Sequence, residues 1–290
     1  MHFNIDVDYS LLCQCTWPIL IAHRGAGIAA PENTLVSMEY GFRSGYKAVE
    51  FDVMLTKDEQ PMLMHDDDLG RTIPGTGMCS EFNMDHFTKL DACKWHEQKY
   101  QSDLSMCIQS RYVPKFQDIL EYCKGNDIWM NVEIKPCPGY EAKTGEIVAA
   151  TTKQYFLKEI AELSAQMSDF QFTEIYKTLS KLPLLSSFSF ESLMHAKVAA
   201  PELPRAYLIH DLTEVPNWKE QMVQCGAIAV HTCVHNLTEA LAIEIKRLGY
   251  GLFLYTVNSL DDWARVSAWG VDSFCTDQLE MFRSMNQEAT

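Results

Sequence analysis

The chain has 290 residues, 47% of them hydrophobic, which is enough for one large core built as an α/β barrel or for two small domains. Its formal net charge of −15 at pH 7 argues against a nucleic-acid partner, which proteins meet with clustered Lys and Arg, and against an anionic membrane surface. A small anionic substrate is still admitted, because a metal ion and a few buried cations reverse the field locally.

Residues 1–17 precede the first convincing strand and read as an extension. Their opening, MHFNIDVDYSLLCQC, carries acids and no basic segment, so it does not read as a secretory signal. No apolar run is long enough to span a bilayer. Ten cysteines scattered through a core-forming chain of this size read as reduced thiols of a cytoplasmic protein. Cys13 and Cys15 form the one close pair, and no second pair at metal-ligand spacing accompanies them.

A short apolar strand, Pro18 to Ala22, runs into His23-Arg24-Gly25. Asn33 or Thr34 can cap the helix that follows, whose Leu35, Met38 and Phe42 share one face and which ends near Gly45. The second strand, Ala48 to Leu55, alternates: Val49, Phe51 and Val53 on one side, Glu50, Asp52 and Met54 on the other. The next strand, Pro61 to His65, follows after five residues, too few for a parallel crossover, so the pair is predicted to be an antiparallel hairpin. A turn centred near Asp58 and Glu59 brings His65 opposite Asp52 to within a residue.

Residues 67–112 have no clean period and contain Gly70, Pro74, Gly75 and Gly77. A long irregular stretch of this kind reads as a lid or pocket wall. A helix from Lys115 to Cys123 leads to a strand, Ile128 to Ile134, on which Glu133 and Lys135 point the same way. Helices are predicted at Thr144–Phe156 and Phe156–Met167. Strands follow at Leu184–Phe188, Ala206–Ile209, Ala227–His231, Gly251–Val257 and Ser273–Thr276. They alternate with helices at Glu191–Ala200, Trp218–Cys225, Leu237–Leu248, Leu260–Trp269 and Gln278–Met285. With the hairpin return counted as an arm of strand two, this makes eight strand–helix units, a (β/α)8 barrel, and no linker or composition break divides it.

In such a barrel the active site lies at the C-terminal ends of the strands. His23, Asp52, Lys135, Asn258 and Asp277 fall there, with Glu50 and Glu133 a little deeper. Three carboxylates aimed at one barrel mouth repel one another and are costly to bury. A hard divalent cation removes that cost, and an all-oxygen ligand set favours Mg²⁺ or Ca²⁺ over zinc. Ion pairing with Arg24 and Lys135 alone is the plainer alternative. His23 and His65, flanking the carboxylates, suit a general acid and a general base. Arg24 and Lys135 suit a phosphate. Asp277 and Asn258 read as helix N-caps. His231 and His235 sit near a strand end with nothing to pair them, and His2, His86, His96, His195 and His210 carry no usable signal.

These pieces together resemble the glycerophosphodiester phosphodiesterase family. The resemblance rests on HRGAG with PENT at 23–34, VEFDVMLTKDEQPMLMHDDDLGRT at 49–72, NVEIKP at 131–136, LLSSF at 184–188, LYTVN at 254–258 and GVDSFCTD at 270–277. It runs from about residue 18 to the C-terminus and is most like the single-domain cytosolic bacterial members. It implies that residues 18–290 form the catalytic domain, with an insertion at about 67–112 walling a glycerol pocket. The reaction it implies is hydrolysis of a small glycerophosphodiester to sn-glycerol 3-phosphate and an alcohol. Glu50, Asp52 and Glu133 would be the metal ligands, His23 and His65 the acid–base pair, and Arg24 and Lys135 the phosphate contacts. A cyclic glycerol phosphate intermediate and direct attack by water are both open, as is which histidine is the acid.

A lysophospholipase D-like enzyme acting on lysophospholipids is the alternative, with Phe82, Met84, Phe87 and Trp95 as a hydrophobic entrance. A non-catalytic phosphoryl sensor would have lost part of the constellation, and a Schiff-base barrel enzyme would want a lysine without three carboxylates. The expected state is a monomer or homodimer.

Overall fold

The structure, a computed structural model, describes residues 17–101, 104, 109–168 and 172–287. The predicted extension lies outside these residues apart from Trp17, and Cys13 and Cys15 lie outside them too.

Nine strands form one sheet: β1 (Leu20–Ala22), β2 (Ala48–Leu55), β3 (Pro61–Leu63), β4 (Trp129–Ile134), β5 (Leu184–Ser187), β6 (Arg205–Ile209), β7 (Ala229–Cys233), β8 (Gly251–Tyr255) and β9 (Ser273–Thr276). β1 pairs in parallel with both β9 and β2, which closes eight of them into a parallel barrel ringed by helices. β3 alone runs antiparallel, on the outer edge of β2. Strands of a parallel barrel are covered on both faces, and all eight residues of β2 are buried.

The period of two divides these residues. Val49, Phe51 and Val53 enter the main core between strands and helices. Ala48 faces inward, where Ile21, Trp129, Leu184, Ala229 and Phe253 plug the barrel floor. Glu50 and Asp52 therefore stand above that plug, facing the mouth. Pairing of β2 with β4 sets Asp52 beside Glu133 and Glu50 beside Asn131, so three carboxylates share one interior face.

The hairpin register sets Val53 against Leu63. Asp52 accepts a hydrogen bond at its backbone oxygen from Met64 N–H at 3.2 Å, so His65 falls one residue beyond Asp52. The 67–112 segment, in its described residues, is more regular than its composition predicts. It contains short helical stretches at Cys79–Glu81, Met84–Phe87 and Lys94–Tyr100. Its apolar residues make a second small core, with Met84 and Phe87 buried against Met54, Met62 and Met64. Met84 and Phe87 thus line no hydrophobic entrance. His96, which carried no signal in the sequence, is buried and donates to the Ile28 carbonyl at 2.9 Å, tying the insertion to the loop after β1.

Most element ends shift by a few residues from the sequence reading, and three differences stand out. A helix at Phe172–Leu179 was not anticipated, β7 begins two residues later than expected, and the last helix is Arg283–Gln287 rather than one starting at Gln278. Cys79, Cys123, Cys137, Cys225, Cys233 and Cys275 are free thiols. No described helix is long and apolar enough to cross a membrane.

The turn after β1 is the most constrained backbone near the mouth. Arg24 has φ 51°, and Gly25 has φ +95°. A Cβ on Gly25 would stand 2.4 Å from Ser37 Oγ. Gly25→Ala is expected to lower stability by about 1–3 kcal/mol, from strain and collision together, as read from urea unfolding. An unchanged midpoint would show that the turn relaxes.

Candidate active site

Each predicted site residue reaches the barrel mouth. One cavity of about 180 Å³ is lined by His23, Arg24, Glu50, Asp52, His65 and Glu133, with Lys135 also on its wall. Carboxylate oxygens of Glu50, Asp52 and Glu133 lie within 4.8 Å of one another.

Burial pushes the Glu50 carboxyl up to about 7 and that of Glu133 up to about 8, and the charge of Asp52 adds to both shifts. Asp52 moves the other way. Burial alone would raise it, but Lys135 and Arg24 outweigh burial and hold it well below the usual carboxylate range. Lys135 Nζ is 3.3 Å from Asp52 and 3.6 Å from Glu133, and Arg24 Nε is 3.7 Å from Asp52. The protein's own cations therefore outweigh burial at one carboxylate of the three, Asp52. One buried oxygen each of Glu50 and Glu133 has no hydrogen-bond partner among the described residues. Three buried carboxylates with oxygens this close, two of them with an oxygen that accepts no hydrogen bond from the described residues, fit a divalent cation.

The two histidines are built alike. His23 Nδ1 meets Asp277 Oδ1 at 2.6 Å, and His65 Nδ1 meets Asp66 Oδ1 at 2.7 Å. A carboxylate on Nδ1 fixes the ring and leaves Nε2 for the substrate. Nε2 of His23 lies 3.7 Å from Glu50. For His23, burial opposes the protonated form, yet the Asp277 hydrogen bond and the Glu50 charge carry its pKa above the usual value. For His65, burial lowers the pKa and, with Lys135 and Arg24 nearby, outweighs the pull of Asp52.

A chain of ion pairs joins Arg24 to the partner of His65. Arg24 donates to Glu32 at 2.8 Å, and Arg71 from the insertion forks onto Glu32 at 2.9 and 2.7 Å. Arg71 also donates to Asp66, the partner of His65. The backbone N–H of Arg24 donates to Glu50 at 2.9 Å.

The sequence matches the model of the glycerophosphoryl diester phosphodiesterase family over residues 23–281. The chain belongs to this family. Among curated relatives, a glycerophosphodiester phosphodiesterase of Caldanaerobacter subterraneus subsp. tengcongensis is 28% identical over 90% of this chain and 95% of its own. One of Bacillus subtilis is 24% identical over 93% of this chain and 86% of its own. The solved structure of an Oleispira antarctica phosphodiesterase in complex with the product sn-glycerol-3-phosphate superposes with a TM-score of 0.74 at 27% identity, covering 92% of this chain and 96% of that one.

Several residues of this glycerophosphodiester phosphodiesterase family site escaped the sequence reading. Asp277 is not a helix cap, since no helix starts there, and its carboxylate takes His23 on one oxygen and Asn258 Nδ2 on the other at 2.8 Å. Asn258 is not the cap either: Ser259 caps Leu260–Val266, while Asn258 accepts from the Asp277 N–H at 2.8 Å. Thr34 is the cap of the first helix, which frees Asn33 to grip Asp52. Asn33 Nδ2 donates to Asp52 Oδ2 at 2.8 Å, and its Oδ1 accepts from the Asp52 N–H at 3.1 Å. His231 lines the cavity floor, whereas His235 is exposed, 3.7 Å from Asp262.

Asp277→Asn is expected to lower kcat by about one to two orders of magnitude and to move the His23 titration downward, because the opposing charge is gone. An unchanged His23 midpoint by NMR titration would remove Asp277 from this role.

Proposed function

We propose that this chain hydrolyses small glycerophosphodiesters to sn-glycerol 3-phosphate and an alcohol, with residues 18–290 as the catalytic domain and about 67–112 as its insertion. The observation that carries the reading is the carboxylate triad, its oxygens within 4.8 Å of one another, set between two histidines whose Nδ1 atoms are already held.

In this reading Glu50, Asp52 and Glu133 hold one divalent cation, Mg²⁺ or Ca²⁺ by the chemistry of an all-carboxylate set. When bound, the cation supplies Lewis-acid stabilisation of charge on the phosphoryl group. Arg24 and Lys135 pin the phosphate beside it, Arg24 by its fork. Holding the diester there converts the reaction with a positioned hydroxyl or water into an effectively unimolecular step. Of the two free Nε2 atoms, one takes the proton from the attacking oxygen and the other gives a proton to the departing alcohol, so no alkoxide has to leave. The guanidinium and ammonium groups stabilise the charge that builds on the phosphoryl oxygens.

The lysophospholipase D-like alternative needs an apolar entrance, and the burial of Met84 and Phe87 removes two of the residues proposed for it. The free thiols support a cytoplasmic setting, and a monomer or homodimer is the assembly this reading expects.

Release of glycerol 3-phosphate from glycerophosphocholine, measured after EDTA and again after Mg²⁺ or Ca²⁺ is restored, tests the reaction. Activity is expected to vanish with chelator and return with metal. His23→Ala and His65→Ala are each expected to cost about 10²–10⁴-fold in kcat with the circular dichroism spectrum unchanged. Near-normal turnover in either variant would refute the pair.

A further inference from the structure

The cavity has two unlike walls. On the side of β1, β2 and β4 it is charged, with His23, Arg24, Glu50, Asp52, Glu133 and Lys135. On the side running from Phe188 to Thr256 it carries no carboxylate and no cation among its described lining residues. That second wall is nevertheless not simply apolar. His231, 3% exposed, is stacked face to face on Phe253 with ring centroids 4.6 Å apart, and its Nε2 has no hydrogen-bond partner among the described residues. The hydroxyl of Tyr255, and Oδ1 of Asn131, which is also 3% exposed and stands on β4 beside Glu50, likewise have no hydrogen-bond partner among the described residues. Three residues lining one cavity, on three different strands, therefore each carry a buried uncharged hydrogen-bonding atom with no partner among the described residues.

We propose that Asn131, His231 and Tyr255 form the subsite for the alcohol half of the diester, and that it favours a hydroxyl-bearing alcohol such as glycerol over a quaternary ammonium alcohol such as choline. The inference rests on the reading above. With the phosphate pinned by Arg24 and Lys135 on the charged side and the bridging oxygen of the alcohol within reach of one histidine, the uncharged wall is the part of the cavity open to the rest of the alcohol. Buried polar groups cost free energy unless paired. A polyol supplies both donors and acceptors to satisfy an amide oxygen, an imidazole nitrogen and a phenol. Burial pushes the His231 imidazole down to about 3, so it is neutral and offers one donor and one acceptor. A trimethylammonium group has no hydrogen-bonding hydrogen and would leave all three unpaired. Phe188 and Tyr255, edge to face at 5.7 Å, offer choline two rings by cation–π attraction, but the wall behind them has no carboxylate to pair with its charge.

The test is kcat/KM for glycerophosphoglycerol and for glycerophosphocholine, in the full chain and in His231→Phe, which keeps the stack on Phe253 and loses both nitrogens. The full chain is expected to prefer glycerophosphoglycerol by about tenfold or more, and the variant's preference to fall toward unity. Tyr255→Phe, which removes a single oxygen, carries the same test if His231→Phe does not fold, and a fall in the preference is again the expected result. Equal or better use of the choline ester by the full chain would overturn the inference. So would an equal loss on both esters in the variants, which would place the groups on the shared glycerol or in a structural role. Hydrolysis of neither ester would overturn the diesterase reading, and the subsite with it.

Discussion

Three carboxylates buried with oxygens within 4.8 Å of one another repel, and water cannot screen them. At an effective dielectric of about 20, each ionised pair at this spacing costs roughly 3–4 kcal/mol. The chain's own cations offset this for Asp52, but burial drives Glu50 and Glu133 toward protonation near neutral pH. A divalent cation would attract each carboxylate with twice the strength of a lysine at the same distance, and would keep all three ionised. Much of the surrounding architecture is arranged around that need. The barrel sets the register, Asn33 holds Asp52 by two hydrogen bonds, and the Arg24 backbone donates to Glu50.

A second constraint concerns the histidines. Each is held at Nδ1 by a carboxylate that is itself held: Asp277 by Asn258, and Asp66 by Arg71. The relay from Asp66 through Arg71 and Glu32 to Arg24 ties the residue that holds His65 to Arg24 through the insertion. Through Arg71 the insertion is therefore part of the site's frame, although none of its described residues lines the cavity. Its own small core of Met54, Met62, Met64, Met84 and Phe87 gives Arg71 a rigid base from which to reach both carboxylates.

Much of this was legible in the sequence because strands have a period of two. That period placed Glu50 with Asp52 and Glu133 with Lys135, and the length of a hairpin turn brought His65 back to within a residue of Asp52. The barrel followed from the strand–helix alternation. What stayed hidden depended on contacts far apart in the chain. Asp277 is 254 residues from His23, and the two meet because β9 pairs with β1, a register no local pattern contains. Asp277 and Asn258 each precede a helix-like run, so the local cap signal hid the long-range role. The role of Asn33 stayed hidden because it shared a helix-cap signal with Thr34, which is the cap. The helix Phe172–Leu179 was passed over because no Gly or Pro separates it from Leu157–Ser168.

The central claim is that Glu50, Asp52 and Glu133 hold one divalent cation. Isothermal titration of Mg²⁺ and of Ca²⁺ into chelator-stripped protein, beside Glu133→Gln, tests it without reference to turnover. The account predicts one site per chain, weakened about tenfold or more in Glu133→Gln while that variant keeps its fold. Absence of binding for both ions, or binding that Glu133→Gln leaves unchanged, would contradict it.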